Sequence, residues 1–353
     1  MHRPLTIVCA AKLQENLARH LEPLDLSEDV ARIIVVRHAP IGQHLRKVEN
    51  VSFGDGGTLR NMGRMLATVD RVLARERVDW VLGFNPVPWA ALGAAAAARH
   101  RVPVSLSFVG RDFKQIQRPW AAPLWLAVRH ARLITVTGER MRRGLVERGI
   151  PADKIRVLPH VIDTERFSPA TVEPDVDIVS VGGLIRRKRH DVLIDAVARL
   201  KRRGRLVRVL IAGEGPLRPV LEQQIRDQDV GDRVELLGFR RDVEQILRRG
   251  RLFVLVSDWE GVPFAMVEAC CTGLVPIVTD VGTITDFVEH ERNGHVVPVG
   301  DGEALARSIE RLLGDPEHYR SLRDAALRMR QSLSLEQGVT FWREALGLAA
   351  RGG

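Results

Sequence analysis

The stretch "LFVLVSDWEGVPFAMVEACCTGLVPIVTD", residues 252–280, reads as one strand–turn–helix–strand unit. "LFVLVS" is a β-branched apolar run and "DWEG" is a turn. Pro263 suits a first helical turn, and "FAMVEACCT" continues the helix until Gly273 stops it. "VPIVTD" (275–280) resumes a strand. Both strands are continuously apolar rather than alternating, which is how strands buried on both faces look.

The same alternation runs outward in both directions. In the second half the strands are "DIVSVG" (177–182), "VRVLIAGEG" (207–215), "RVELLG" (233–238), 252–257, 275–280 and "HVVPV" (295–299). In the first half they are "LTIVCAA" (5–11), "ARIIVVR" (31–37), "WVLGF" (80–84), "VPVSLSF" (102–108), "LITVTG" (133–138) and "IRVLPHV" (155–161). Between the two series lies "DTERFSPATVEPDVD" (163–177), polar and without periodicity. The expectation is an α/β protein of two Rossmann-like, doubly wound parallel-sheet domains facing across a cleft, with ligands beyond the carboxyl ends of the strands. The boundaries expected are residues 1–165, a linker over 166–176, a second domain over 177–335, and a C-terminal helix within 336–353 that packs back on the first domain.

A length of 353 residues suits two domains of roughly 150 to 200 residues. The net charge of +9 is compatible with nucleic acid, an anionic membrane or a phosphorylated ligand, all of them polyanionic. Nucleic acid is the least supported: tyrosine occurs once, at Tyr319, and no aromatic-plus-basic stacking platform appears. Cys9 stands alone and Cys270 and Cys271 are adjacent, which fits neither a disulfide framework nor a zinc site and suggests a reducing cytoplasm. "PLTIVCAA" is too short for a signal peptide and is followed by Lys12, and "WAALGAAAAA" (89–98) falls short of the about 20 residues that span a bilayer.

Two carboxylates, Glu260 and Glu268, sit in the turn and the early helix of the opening stretch. The helix that opens at Pro263 offers the backbone N–H groups of Phe264, Ala265 and Met266 to an anion such as a diphosphate. Glu268 is then placed to accept the hydroxyls of a ribose and Glu260 those of a sugar. A plainer reading makes Glu260 a cap and Glu268 a solvated residue. Three further strand ends bear on the choice. "VSVGGLIRRKRHDVLIDAV" (179–197) runs from a strand through Gly182 and Gly183 into four cations, Arg186 to Arg189, and then a helix. Glycines permit close approach to phosphate and the cations neutralise it; taken alone, the charge run is an ordinary solvated turn. "LIAGEGPLRPVLEQQI" (210–225) places Gly213 and Gly215 in a turn offered to the donor, and "LGFRRDVEQIL" (237–247) offers Gly238 and Phe239 to a base.

These elements, in this order over about residues 155–315, resemble the C-terminal domain of the retaining glycosyltransferases of family 4, which have the GT-B fold. The segments that carry the resemblance are "LPHVIDTERFSP", "VGGLIRRKRHDVLIDA", "IAGEGP", "LLGF", "EGVPFAMVEACCTGLVPIVTD" and "HVVPVGD". The resemblance implies transfer of a sugar from a UDP- or GDP-linked donor, with retention and without a metal or other cofactor. It implies Glu268 on the ribose, Glu260 near the sugar, and Lys188 on the diphosphate. The family commonly reads "VGRL" where this chain has Gly183, and Arg186 or Arg187 is expected to take that arginine's place. "VPVSLSFVGRDF" (102–113) resembles a family segment of the first domain, with Val109 where a histidine is often found, and "CAAKLQENL" stands where the family has a glycine-rich loop.

The acceptor is approached through charge. Residues 1–170 carry 26 Lys and Arg against 16 Asp and Glu, and residues 171–353 carry 27 against 28, so the basic excess lies in the first half. "RPWAAPLWLAVRHARLITVTGERMRRGLVERG" (118–149) mixes Trp120, Trp125 and Leu126 with Arg118, Arg129, Arg132, Arg140, Arg142 and Arg143. Tryptophan with arginine suits an anionic membrane interface, which points to a cytoplasmic enzyme, peripheral at the inner face of the membrane, acting on a lipid-linked glycan. The alternatives are a soluble small-molecule acceptor, a sugar-nucleotide epimerase or hydrolase, and a non-catalytic binding protein on the same fold.

Overall fold

A computed structural model describes residues 3–11, 17–41, 45–84, 89–109, 122–171, 173–261 and 263–348. The chain divides into two compact units, Met1–Val161 with Leu335–Gly353, and Ile162–Ser334.

The first unit is built on strands β1 (Leu5–Ala11), β2 (Val30–Arg37), β3 (Val48–Ser52), β4 (Trp80–Phe84), β5 (Val104–Phe108), β6 (Leu133–Val136) and β7 (Ile155–Val157). They pair in the order β3-β2-β1-β4-β5-β6-β7, every pair parallel. The central strands β1, β4 and β5 are buried along almost their whole length because helices cover both faces, and β1 and β4 are accordingly apolar. These helices are α1 (Leu17–Leu26), α2 (Thr58–Arg75), α3 (Ala91–Arg99), α4 (Ala122–His130) and α5 (Glu139–Val146). Strand β3, "VENVS", escapes the sequence reading for a physical reason. It is the edge strand, with Glu49 and Asn50 exposed, so it lacks the apolar run that marks its neighbours.

The second unit is built on β8 (Val176–Val181), β9 (Val209–Ala212), β10 (Val234–Gly238), β11 (Gly250–Leu255), β12 (Val275–Thr279) and β13 (His295–Val297), in the parallel order β10-β9-β8-β11-β12-β13. Successive side chains of a strand point to opposite faces. Ile178, Ile211, Leu252, Val254 and Ile277 therefore join one buried cluster, and Val179, Leu210, Phe253, Leu255 and Val278 join another. Helices α6 (His190–Arg202), α7 (Arg218–Asp227), α10 (Gly302–Gly314) and α11 (Pro316–Arg328) supply side chains to the first cluster. Helices α8 (Val243–Leu247) and α9 (Phe264–Thr272) pack on the second.

Helix α9 is buried nearly all round, which is why its sequence shows no polar stripe. Gly273, in the left-handed region at φ 93°, ends it as the sequence leads one to expect. Residues 163–171 and 173–175 belong to the second unit, and Phe167 there is buried in its core. Cys9, Cys270 and Cys271 are free and buried. Burial pushes the thiols of Cys9 and Cys271 up to about 12, so neither is a ready nucleophile.

The chain returns to the first unit in α12 (Leu335–Ala345), which packs on α1. Gly338 is required at the contact, since a Cβ there would lie 2.8 Å from Pro23 Cγ. Trp342, 1% exposed, is among the largest fully buried side chains described. Trp342→Ala should therefore destabilise the first unit by about 3–5 kcal/mol through lost burial and a residual cavity. A urea titration followed by circular dichroism reads this as a lowered midpoint, and an unchanged midpoint would show that α12 is not structurally committed to the unit.

Candidate functional site

In the second unit, the carboxyl ends of β8, β9 and β10 carry loops laced together through their backbones. The Gly182 N–H donates to Ala212 O at 2.9 Å, Leu184 N–H to Glu214 O at 3.0 Å, and Gly213 N–H to Gly238 O at 2.9 Å. Such close approach needs glycine. A Cβ on Gly213 would lie 1.9 Å from the Gly182 carbonyl oxygen, and one on Gly215 would lie 2.5 Å from that of Leu184. The neighbouring loop thus accounts for Gly213 and Gly215, which the sequence reading assigned to a ligand. At Gly183 the situation differs, because its nearest obstacle would be Glu214 O at an ordinary 3.6 Å. The loop has room for a side chain there.

Lys188 ends a short 3-10 turn, Arg186–Lys188, that follows this loop. Its aliphatic stem lies across Gly182, where a Cβ would meet Lys188 Cε at 3.1 Å. From there the ammonium reaches Glu260 in the loop after β11, with Nζ 2.7 Å from Oε1. Ser257 Oγ donates to the same oxygen at 2.6 Å. Glu260 is 5% exposed and the Lys188 side chain 14%, so this is a largely desolvated ion pair with an added hydrogen bond.

The loop after β12 closes on it from behind. Thr279 Oγ1 donates to Ser257 O at 2.7 Å and Thr283 Oγ1 to Gly261 O at 2.8 Å. Gly282, at φ 63°, lies so close that a Cβ would come within 2.1 Å of Glu260 O.

The remaining cations are deployed differently. Arg187 stacks its guanidinium over the Trp259 ring at 5.2 Å, and its carbonyl accepts from Asp258 N–H at 2.9 Å. Arg189 is held by Asp191 and by Asp258, with Nη1 3.0 Å from Asp258 Oδ1; these hydrogen bonds raise its pKa further. Arg186 is exposed. The run of four thus supplies one cation to Glu260, one to an aromatic face and one to a carboxylate pair.

Helix α9 begins at Phe264 with Pro263 as its cap. The Met266 and Val267 N–H groups both donate to the Pro263 carbonyl, at 2.9 and 3.1 Å. The sequence expectation of a free amide at Met266 is therefore corrected: the first turn tightens onto Pro263 and consumes that donor, and the Met266 side chain is in the core. Ala265 is partly buried on the same turn. Glu268 is 3% exposed on a helix otherwise lined by apolar and small side chains, which rules out the solvated reading. Gly238, at φ 71°, turns the chain so that Phe239 stands 72% exposed at the end of β10.

Sequence reasoning passed over Ser257, Thr279, Gly282 and Thr283, and also His190 at the start of α6. His190 is buried beside the carbonyls of Gly182 and Gly183. Burial draws its pKa down to about 4, with a smaller push from Lys188, so the imidazole is neutral near pH 7. A histidine directly after the basic run was the available signal.

In the first unit, Val109 is buried at the end of β5. Arg118 and Trp120 lie outside the described residues, as does the side chain of Leu126. Trp125 is partly buried and packs against the core of the unit. Arg129, Arg132, Arg140 and Arg143 are exposed, and Arg142 is half-buried. Among the described residues no helix is long and apolar enough to cross a membrane.

Residues 161–329 match the family model described as glycosyl transferases group 1, and residues 13–166 match that of glycosyltransferase family 4. The chain is 34% identical over 320 residues to WcaL of Escherichia coli K12, which is named as a colanic acid biosynthesis glycosyltransferase; the alignment covers 85% of this chain and 78% of WcaL. It is 26% identical over 274 residues to the Escherichia coli UDP-Gal:α-D-GlcNAc-diphosphoundecaprenol α-1,3-galactosyltransferase, covering 71% of this chain and 70% of that enzyme. Against some other curated relatives it spans less than half of their length. Among solved structures, HepE of Anabaena in complex with UDP shares the fold, with a TM-score of 0.79 at 19% identity over 98% of this chain and all of HepE.

The glycine geometry separates two substitutions of equal chemical size. Gly213→Ala forces a backbone clash and should cost about 1–3 kcal/mol, whereas Gly183→Ala should be close to neutral; equal melting temperatures for the two would contradict the packing described. For His190 the sign is as follows. An unfolded histidine titrates near 6.5 and the folded one near 4, so between these values the unfolded chain takes up a proton that the folded chain refuses. Stability falls as pH drops through that window, by at most roughly 3 kcal/mol for this residue. His190→Asn should flatten the loss of stability between pH 6.5 and 4 relative to the parent chain, and an identical slope would count against a buried neutral imidazole.

Proposed function

The chain belongs to glycosyltransferase family 4, and on that premise we propose that it transfers a sugar from a nucleotide-diphosphate donor to a glycan acceptor with retention of configuration and without a metal ion. The observation that carries this reading is the desolvated Lys188–Glu260 pair at the carboxyl ends of the strands, with a second buried carboxylate, Glu268, one helix away. A carboxylate removed from water is costly unless it is paired or bound. Two of them beside a basic, glycine-lined loop fit a ligand that offers hydroxyls at both ends and a diphosphate in the middle.

In this reading Glu268 accepts from the ribose diol, Gly238 and Phe239 flank the base, and the α9 terminus at Phe264 and Ala265 faces the diphosphate with Lys188. Charge grows on the departing diphosphate as the glycosidic bond breaks, so a fixed ammonium stabilises the transition state more than the bound donor. Lys188 supplies that charge and Glu260 holds it in place. Arg187, stacked on Trp259, is a short swing from the same anion. Retention is consistent with attack on the face that the diphosphate leaves, the donor phosphate oxygen taking the acceptor proton. The UDP held by HepE and the UDP-galactose named for the Escherichia coli relative favour a uridine donor.

For the acceptor, that relative is named for a diphosphoundecaprenol substrate and WcaL for a polysaccharide. Together with the exposed arginines on and around α4 and α5 they support a lipid-linked glycan reached by peripheral docking on an anionic membrane. Each cation near such a surface contributes about 1 kcal/mol. Sedimentation with anionic and neutral vesicles tests this: binding should require anionic lipid and weaken with salt, and no binding under any condition would favour a soluble acceptor.

Thermal-shift and calorimetric titration with UDP, GDP and their sugars tests the donor assignment, since a ligand bound only by the folded state raises its stability. Glu268→Ala should weaken nucleotide binding by about 1.5–3 kcal/mol for each lost charge-assisted bond, while Glu260→Ala should spare the nucleotide and lower turnover. Lys188→Ala should lower kcat more than it raises KM. Wild-type affinity in Glu268→Ala, or a pure KM effect in Lys188→Ala, would overturn these roles.

A further inference from the structure

A second cluster of chemistry-bearing side chains lies in the same unit and uses none of the residues assigned to the donor. It gathers where the turn 289–294 enters the edge strand β13. His295 Nε2 is 3.2 Å from His318 Nε2. Glu291 Oε1 is 3.5 Å from His295 Nε2, and Glu291 Oε2 is 3.2 Å from His318 Nε2. A tetrahedral ion with bonds of roughly 2.0–2.1 Å sets its ligand atoms about 3.3–3.4 Å apart. The His295–His318 separation is close to such an edge, the two carboxylate contacts are made by different oxygens of Glu291, and one ligand atom from each of the three residues lies within 4.8 Å of the others.

The surroundings permit the tautomers that a metal needs. His295 Nδ1 lies 2.7 Å from the buried Ser308 Oγ. With its proton on Nδ1, His295 donates to that hydroxyl and turns a lone pair on Nε2 toward His318, the arrangement in which a ligating imidazole is oriented by an outer partner. His290 is excluded as a ligand: its Nδ1 accepts from Val296 N–H at 3.0 Å, which places its proton on Nε2, 3.6 Å from Glu291 Oε1. It steadies the carboxylate instead. Arg311 grips Glu291 from another side, with Nη1 and Nη2 at 2.6 and 2.9 Å from Oε1 and Oε2. Its side chain is 57% exposed, so water can replace whichever contact an ion displaces.

We propose that Glu291, His295 and His318 form a three-ligand site for a divalent transition ion of the zinc class, with a fourth position open to water. Two imidazoles and one carboxylate suit zinc and disfavour magnesium. The ligands come from the turn, from β13 and from α11, so the ion would fasten the edge strand of the sheet to that helix. Its role is structural: binding free energy at such a site is folding free energy.

Untagged full-length chain, stripped with a chelator and dialysed, is titrated with ZnCl2 and, separately, with CoCl2 and MgCl2. The expected result is one zinc per chain by elemental analysis, visible d–d bands of tetrahedral cobalt, and a Tm rise of about 5 °C at a hundredfold excess over Kd. Magnesium should produce none of these. His318→Ala and Glu291→Gln should each lower zinc affinity at least tenfold and cut the Tm rise at the same zinc concentration to about half or less, while His130→Ala, an exposed histidine of the first unit, should leave both unchanged. Should His318→Ala fail to fold, the near-isosteric Glu291→Gln decides alone. Substoichiometric zinc in the parent chain, or undiminished uptake in Glu291→Gln, would overturn the proposal.

Discussion

The organisation of the second unit turns on the contact between Lys188 and Glu260, two residues 72 positions apart that meet at 2.7 Å. Lys188 reaches Glu260 because Gly182 leaves its stem a path, and Gly182 is held in place by Ala212 across the sheet end. Glu260 is in turn fixed by Ser257 and by the close approach of Gly282. One ion pair therefore ties the loop after β8 to the loop after β11 and leans on the loop after β12. Replacing a buried pair with apolar side chains of similar volume is often neutral or stabilising. The fold alone gives no reason for charge at this position. A ligand that carries phosphate on one side and hydroxyls on the other does.

Much of the architecture was legible because strands buried on both faces advertise themselves as apolar runs. β1 and β4 begin and end where "LTIVCAA" and "WVLGF" do, and the helix between β11 and β12 stops at Gly273 as its chemistry requires. β3 was invisible because an exposed edge strand need not be apolar. At the candidate site, the sequence marked residues whose type is unusual for their surroundings, namely two glutamates in an apolar stretch and a lysine after a glycine pair. It could not mark Ser257, Thr279 and Thr283, whose hydroxyls are common in loops and acquire a role through contacts with distant segments. Nor could it show that Met266 would spend its amide on Pro263, or that the neighbouring loop would itself require glycine at positions 213 and 215. The Glu291, His295 and His318 cluster was equally hidden, since its spacing follows no metal-binding pattern and its convergence depends on His318, at the start of α11, meeting His295.

The basic character of the chain divides along the same lines. In the second unit the cations of the 186–189 run are largely committed to Glu260, Trp259, Asp191 and Asp258, and the half from residue 171 onward is close to neutral overall. In the first unit several arginines around α4 and α5 stand exposed, and Trp125 lies inward. The attraction of such a positive surface for an anionic partner is one that salt can reverse.

The most direct test of the central claim is a crystal structure of the chain with a uridine diphosphate sugar bound. The account predicts a diphosphate oxygen within hydrogen-bond distance of Lys188 Nζ, the ribose hydroxyls on Glu268, and the sugar hydroxyls on Glu260. A nucleotide bound elsewhere, or one that leaves the Lys188–Glu260 pair untouched and without contact to the diphosphate, would contradict it.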